Sequence, residues 1–211
     1  TNSGFNWTAV YDGLNRRLQT SQQTVTNGTL SGTALVLKSS YDPEVEFLEL
    51  AVTSPTARYW KVYGPDLNGK YGGLQGTGGL EAVYNGTTGV TTSVMNDSYG
   101  TSVVSLTQNG ATVSYQWNPV VGSGYGTAPG GAGAVAMDGT KELASVIAWR
   151  GRYVDGTGYY YMGMRYYAQD TGTFLSADPL GHSACMDLYS YCNGDPVNRL
   201  DPDGRWSWNQ T

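Results

Sequence analysis

The sequence predicts an all-β protein of long, twisted antiparallel strands joined by tight turns. Three observations carry this. The 211 residues include 17 Tyr and 6 Trp but only 14% charged residues, and aromatic side chains suit a pleated, half-buried surface. The 30 Gly supply turns. Apolar and polar residues alternate in short runs bounded by Gly, Asn, Asp or Pro. A chain of this length can bury a sizeable core as one domain, and its aromatic content and low charge are unlike those of disordered chains.

The elements follow in order. Trp7 to Leu18 reads as strand, turn, strand, with Asp12-Gly13 as the tight turn. Ala34–Lys38 and Val45–Val52 are strand candidates; the periodicity of the second also admits a short helix, but its end is β-like and Pro55 stops it. Arg58–Tyr63 alternates as a half-buried strand. Tyr63 to Val83 is Gly-rich but lacks a Gly-Lys-Ser/Thr and a strand-to-helix context, so it reads as turns and close backbone approach rather than a phosphate loop. Val94 to Trp117 gives three strands separated by Tyr99-Gly100 and Asn109-Gly110, the latter a type I′ hairpin signal. Residues 122–133 form a Gly-rich loop, and 141–149 fit a helix or a strand. Tyr159 to Tyr167 reads as one strand with an aromatic face for sheet packing.

The net charge of −5 and pI near 4.7, with no basic cluster, argue against a nucleic-acid-binding surface. No apolar run is long enough to cross a bilayer. Two Cys and one His cannot close a zinc site, so no metal or other cofactor is expected. No Met opens the chain and Thr1 to Val10 already reads as strand, so a processed or excised piece of something longer is expected.

The densest signal lies at the C-terminal end. Arg165-Tyr-Tyr, Thr171-Gly-Thr-Phe-Leu-Ser-Ala-Asp-Pro-Leu-Gly181, Leu188-Tyr-Ser-Tyr191, Asp195-Pro-Val-Asn198 and Asp201-Pro-Asp-Gly204 follow one another. In each Asp-Pro-x-Gly, Pro fixes its own φ and Gly accepts the positive φ that closes the corner. In order and spacing these blocks resemble the Rhs repeat-associated core domain of Rhs/YD-repeat proteins, also similar to the core of insecticidal toxin-complex C proteins. Upstream, Tyr11-Asp12 with Asn15-Arg16 looks like a YD repeat, and degenerate copies are expected at Ser40–Pro43 and Asn96–Gly100. Gly64-Pro-Asp-Leu-Asn-Gly69 and the following Gly-Gly-Leu resemble the run upstream of the core in such proteins. The resemblance divides the chain into a YD-repeat-type sheet region (1–147), a core region (148–206) and a tail (207–211). It implies an antiparallel sheet that is a fragment of a β-shell, with a C-terminal plug.

The resemblance also implies a site. Cores of this kind cut their own chain just beyond the second Asp-Pro-x-Gly, which makes Asp178 and Asp201 the catalytic candidates, with Arg165 orienting a carboxylate or setting its charge. The scissile bond would lie near Arg205-Trp206. Paired carboxylates cannot both ionise easily, and the resulting acid and base suit peptide hydrolysis. The competing reading is structural: Asp in such a turn accepts backbone N–H bonds. Cleaving members often have an apolar residue where this chain has Arg205. Cys185 with His182 as base is a weaker alternative that lacks an orienting partner; a Cys185–Cys192 disulfide and two buried thiols are both open. Asn6, Asn27, Asn85, Asn96 and Asn209 lie in glycosylation triplets.

Two functions follow. One is a shell and plug segment of a secreted or exported bacterial protein that encloses a C-terminal toxin and cuts itself once. The other is a structural protein whose copies pair edge to edge into a surface appendage or filament. The expected partners are the remainder of its own shell, further copies and the toxin segment, without nucleic acid or a membrane span.

Overall fold

From Gly4 to Trp117 the strands are laid out as one antiparallel meander. In a computed structural model that describes residues 3–117, 122–127, 136–183, 185–205 and 208–209, nine strands pair in chain order. They are β1 (Gly4–Tyr11), β2 (Arg17–Thr26), β3 (Thr29–Tyr41), β4 (Glu49–Thr53), β5 (Arg58–Tyr63), β6 (Leu80–Asn85), β7 (Val90–Asn96), β8 (Ser102–Asn109) and β9 (Thr112–Trp117). Every pairing is antiparallel, as the alternation and turn signals require.

The rest is made of short pieces. β10 (Gly122–Ser123) pairs with β11 (Gly126–Thr127); a single helical turn, α1 (Leu143–Val146), runs into β12 (Ile147–Trp149), which pairs with β13 (Arg152–Tyr153). β14 (Tyr160–Tyr161), β15 (Tyr166–Ala168) and β16 (Thr173–Phe174) form a three-stranded sheet, and β17 (Arg199–Leu200) pairs with β18 (Trp208–Asn209). No helix among the described residues is long and apolar enough to cross a membrane.

One face of the sheet builds the first core. Leu37, Val52, Tyr59, Leu80, Val83 and Val94 pack against Met137, Leu143, Val146, Ile147 and Tyr153. Alternation along β5 puts Tyr59 and Lys61 inside, while Trp60 and Val62 face out. The second core is aromatic. Trp149, fully buried, has Tyr160, Tyr167 and Tyr191 around it with ring centroids 5.4 to 5.6 Å away, the spacing at which aromatic rings attract edge to face or tilted. Phe174, Met162 and Cys192 complete it. Ile147 belongs to the first core and Ala148 to the second, so β12 joins the two.

Four loops share one build. In 12–16, 66–70, 97–101 and 155–159, the Asp at the first position donates its N–H to the carbonyl of the fifth, and its carbonyl accepts from the fourth. That fourth residue is Asn15, Gly69, Gly100 or Gly158, all with positive φ, where Asn and Gly are tolerated. The Asp12 and Asp97 carboxylates each accept the N–H of the third and fifth residues. The copy expected at 96–100 has this loop; the one at 40–43 does not, because Asp42 instead caps a turn toward Glu44 and Val45.

Several local expectations are corrected. The left-handed residue of the first turn is Asn15, not Gly13, because the loop has five residues rather than two. The run 45–52 is strand only from Glu49; before it Phe47 is left-handed, and its buried ring takes the place of strand pairing. The β8–β9 hairpin forms where expected, but Asn109 pairs with Thr112 and the loop is Gly110-Ala111 with only Gly110 at positive φ. That is the pattern of a type II′ turn, not I′. Tyr159 to Tyr167 is a hairpin, β14 and β15, broken at Met162–Arg165, because the Met162 N–H bonds the Arg165 carbonyl. The segment 141–149 is helix turn and then strand. Of the Gly-rich loop at 122–133, the β10–β11 ladder is described and the remainder lies outside the described residues.

Candidate active site around two aspartates

The site is assembled by backbone geometry before any side chain is considered. The β14–β15 turn and the second Asp-Pro-x-Gly turn lie back to back. Met164 N–H donates to the Asp203 carbonyl at 2.8 Å. A Cβ on Gly163 would stand 2.7 Å from that same carbonyl oxygen, and one on Gly204 2.9 Å from the Met162 oxygen. Both glycines have positive φ, so sterics and dihedral require the same residue type on each side of the contact.

That contact places Arg165 between the two expected carboxylates. Its Nη2 lies 2.9 Å from Asp178 Oδ2 and 3.2 Å from Asp201 Oδ2. Nη1 donates to the Leu188 carbonyl at 3.0 Å and Nε donates to the Gly204 carbonyl. The guanidinium lies over the Phe174 ring at 3.6 Å, a cation–π contact. All three charged side chains are buried. Held in this way, the fork cannot swing away from either acid.

Each aspartate is a turn cap and a partner of Arg165 at once. Asp178 Oδ1 accepts the Leu180 N–H at 2.8 Å, and Asp201 Oδ1 accepts the N–H of Gly204 at 2.8 Å and of Arg205 at 3.1 Å. The second oxygens go to the guanidinium. The two readings of these residues therefore coexist, one on each carboxylate oxygen.

The electrostatics single out Asp201. Burial pushes its carboxyl up to about 6, and the charge of Asp203 adds to this; Arg165 and the Gly204 and Arg205 amides oppose it. The like charge that matters is therefore Asp203, from inside the same turn. Asp201 can take or release a proton near neutrality, as general acid–base work requires.

Arg205 is fixed as well. It pairs with Asp203 at 2.6 Å and with Glu46 of the sheet region at 2.7 Å, and lies over Phe47. Arg205, Asp178, Asp201 and Arg165 line one cavity of about 10 Å³, the scale of a single water. Trp206, on the far side of the expected scissile bond, lies outside the described residues.

Cys185 and Cys192 also line this cavity, and both are free thiols. Burial pushes the Cys192 thiol up to about 12 and also raises that of Cys185, so neither is a ready thiolate nucleophile. His182 is exposed on a short 3-10 turn. Among the glycosylation triplets, Asn85 is buried with its Nδ2 donated to Glu142, whereas Asn6 and Asn27 are exposed. No group of three or more His, Cys, Asp or Glu side chains among the described residues is placed to hold a metal.

Sequence reasoning missed Glu46, Asp203 and the Leu188 carbonyl. Asp203 stands inside the motif and was legible as a third acid. Glu46 and Leu188 are brought in by tertiary contacts that carry no local signal.

No family model matches the chain. It is 44% identical over 61 residues to the tRNA nuclease WapA of Bacillus subtilis, covering 27% of this chain and 3% of that protein. It is 38% identical over 76 residues to the toxin subunit YenC2 of Yersinia entomophaga, covering 36% of this chain and 8% of that protein. The chain thus spans a small fraction of these relatives' length. Its fold matches a crystal structure of TcdB2-TccC3 with a TM-score of 0.60 at 23% identity, over 94% of this chain and 9% of that one. These likenesses support an Rhs-type domain with the all-β fold of toxin-complex proteins.

Proposed function

We propose that this chain is shell and plug of an Rhs-type protein that encloses a C-terminal toxin segment, and that its plug cuts the chain once between Arg205 and Trp206. The observation that carries the proposal is the shared guanidinium: Arg165 holds Asp178 and Asp201 together beside the backbone N–H of Arg205. The relatives' names favour the toxin context, because they are a nuclease and a toxin subunit.

In this reading residues 1–147 are the YD-repeat-type sheet, 148–206 the core region, cut just before its last residue, Trp206, and 207–211 the tail that leaves with Trp206. The change of core between Ile147 and Ala148 favours that division. The protein is secreted or exported by a bacterium, and its partners are the rest of its own shell and the enclosed segment.

The step is hydrolysis. One carboxylate takes a proton from a water in the cavity as its oxygen bonds to the Arg205 carbonyl carbon. The other, protonated, gives its proton to the leaving Trp206 nitrogen as the C–N bond breaks. Asp201, raised toward neutrality by burial, suits the proton-donating role, which leaves the base to Asp178. Because the substrate is tethered, effective molarity replaces the binding energy that a free protease needs. Cleavage is single-turnover.

Mass spectrometry of the protein expressed from its complete reading frame tests this. The expected result is a fragment ending at Arg205 and a second beginning at Trp206. An intact chain, or a cut elsewhere, contradicts it. A second reading, copies joined edge to edge in an appendage or filament, is favoured by β9, all six of whose residues are exposed. Filaments in electron micrographs of that same preparation would support it.

A further inference from the structure

We infer that a second cavity, separate from the two-aspartate site, binds one small oxyanion, a free phosphate or a carboxylate. The cavity, about 30 Å³, lies where β2, β4 and β5 meet the β12–β13 turn. By volume it holds two or three waters or a group of a few heavy atoms, which excludes a nucleotide.

Its walls carry an excess of positive charge in an otherwise acidic protein. Arg17, Lys61, Arg150 and Arg152 all line it, with Glu49 as the one lining carboxylate. Arg17 is matched by Asp155 at 2.6 Å and Lys61 by Glu49 at 2.8 Å. Arg150 donates Nη1 to the Tyr191 hydroxyl, and Arg152 donates Nη2 to the Pro202 carbonyl. Neither forms an ion pair with a carboxylate among the described residues. Asp66, whose carboxyl feels the Arg152 charge, turns its Oδ2 to the Leu74 and Gly76 amides.

Three donors on these walls are also unused. The Nε of Arg17, Arg150 and Arg152 are buried with no acceptor. Gln75 Oε1, an acceptor on the same walls, is likewise buried without a partner, and the Arg150 guanidinium lies over the Trp149 ring at 4.5 Å. A buried N–H without a partner is costly, and three such donors around one hollow favour a ligand that accepts from them. A guanidinium Nε–H beside an Nη–H is the fork that fits a carboxylate or phosphate edge. Divalent cations are excluded by the sign of the field. Arg152 also holds the Pro202 carbonyl of the second Asp-Pro-x-Gly turn, so an anion here would brace that turn from behind.

Calorimetric titration of the protein expressed from its complete reading frame and dialysed into chloride buffer tests the inference. Sodium phosphate is added in one arm and sodium acetate in another, at matched ionic strength. We expect one saturable site in at least one arm, weakened ~10-fold or more in Arg152→Met and Arg150→Met, with folding checked by circular dichroism. Phosphate alone binding identifies a free inorganic oxyanion; acetate alone identifies a carboxylate. Arg152→Lys keeps the charge but loses the fork, so it must also weaken the site, and it serves if the methionine variants do not fold. No saturable heat in either arm, or binding that these variants leave unchanged, overturns the inference.

Discussion

At the scale of single residues, Asp201 is the most informative. Its carboxyl is raised to about 6 by burial and then by Asp203, so the folded state holds the proton more tightly than the unfolded chain does. The contribution to stability is therefore fully present below the ordinary Asp value and is lost as pH rises to about 6; above that it is constant. Asp201→Asn removes this titration. The stability difference between variant and parent should move in favour of the variant by about 3 kcal/mol between pH 4 and pH 7, read by denaturant unfolding at each pH. A flat difference would show that Asp201 titrates as an ordinary surface acid. Arg165→Met leaves two buried carboxylates without their cation and should cost about 3–5 kcal/mol. The three residues were legible in the sequence from their ordered motif blocks. That Arg165 bridges both acids was not, because the bridge depends on the Gly163–Gly204 backbone contact, which joins segments 41 residues apart.

At the scale of elements, the five-residue Asp loop is the repeated unit. Its grammar, Asp followed three residues later by Gly or Asn, was visible at Asp12, Asp66, Asp97 and Asp155, and it fixes where four strand connections turn. Strands with clean alternation, such as Arg58–Tyr63, were legible to the residue. The failures occur where tertiary contact overrides local pattern. Phe47 leaves an apparent strand to bury its ring, and the Tyr159–Tyr167 run folds into a hairpin because the Gly163 turn docks on Asp203. That docking is testable. Gly163→Ala puts a Cβ against the Asp203 carbonyl at a positive φ and should destabilise the protein by about 1–3 kcal/mol. In thermal unfolding, Gly158→Ala, whose added Cβ meets nothing within 4 Å, should cost less. Equal losses at the two positions would mean that only the dihedral, and not the turn-to-turn contact, matters.

At the scale of the whole molecule, a nine-stranded meander packs one face on Met137, Leu143, Val146, Ile147 and Tyr153 and leaves β1 and β9 unpaired on their outer edges among the described residues. Val113, Tyr115 and Trp117 of β9 are each more than 60% exposed, and an apolar open edge recruits further strands. The 211-residue chain on its own should therefore associate in sedimentation velocity, and Val113→Lys should shift it toward monomer; a parent that stays monomeric at high concentration would mean that the edges are already blunted. The C-terminal region, by contrast, is tied down: its aromatic core, its shared guanidinium and the Arg205 contact to Glu46 bind the second Asp-Pro-x-Gly turn to the rest of the chain. This arrangement lets one geometry hold both the acids and Arg205, on the near side of the bond that they are proposed to cut. The most direct test is a time course of the chain synthesised in vitro from its complete reading frame, comparing the parent with Asp178→Asn and Asp201→Asn and resolving the products by mass. The account predicts one cut after Arg205 in the parent and none in either folded variant. Cutting of both variants at the parent's rate would contradict it.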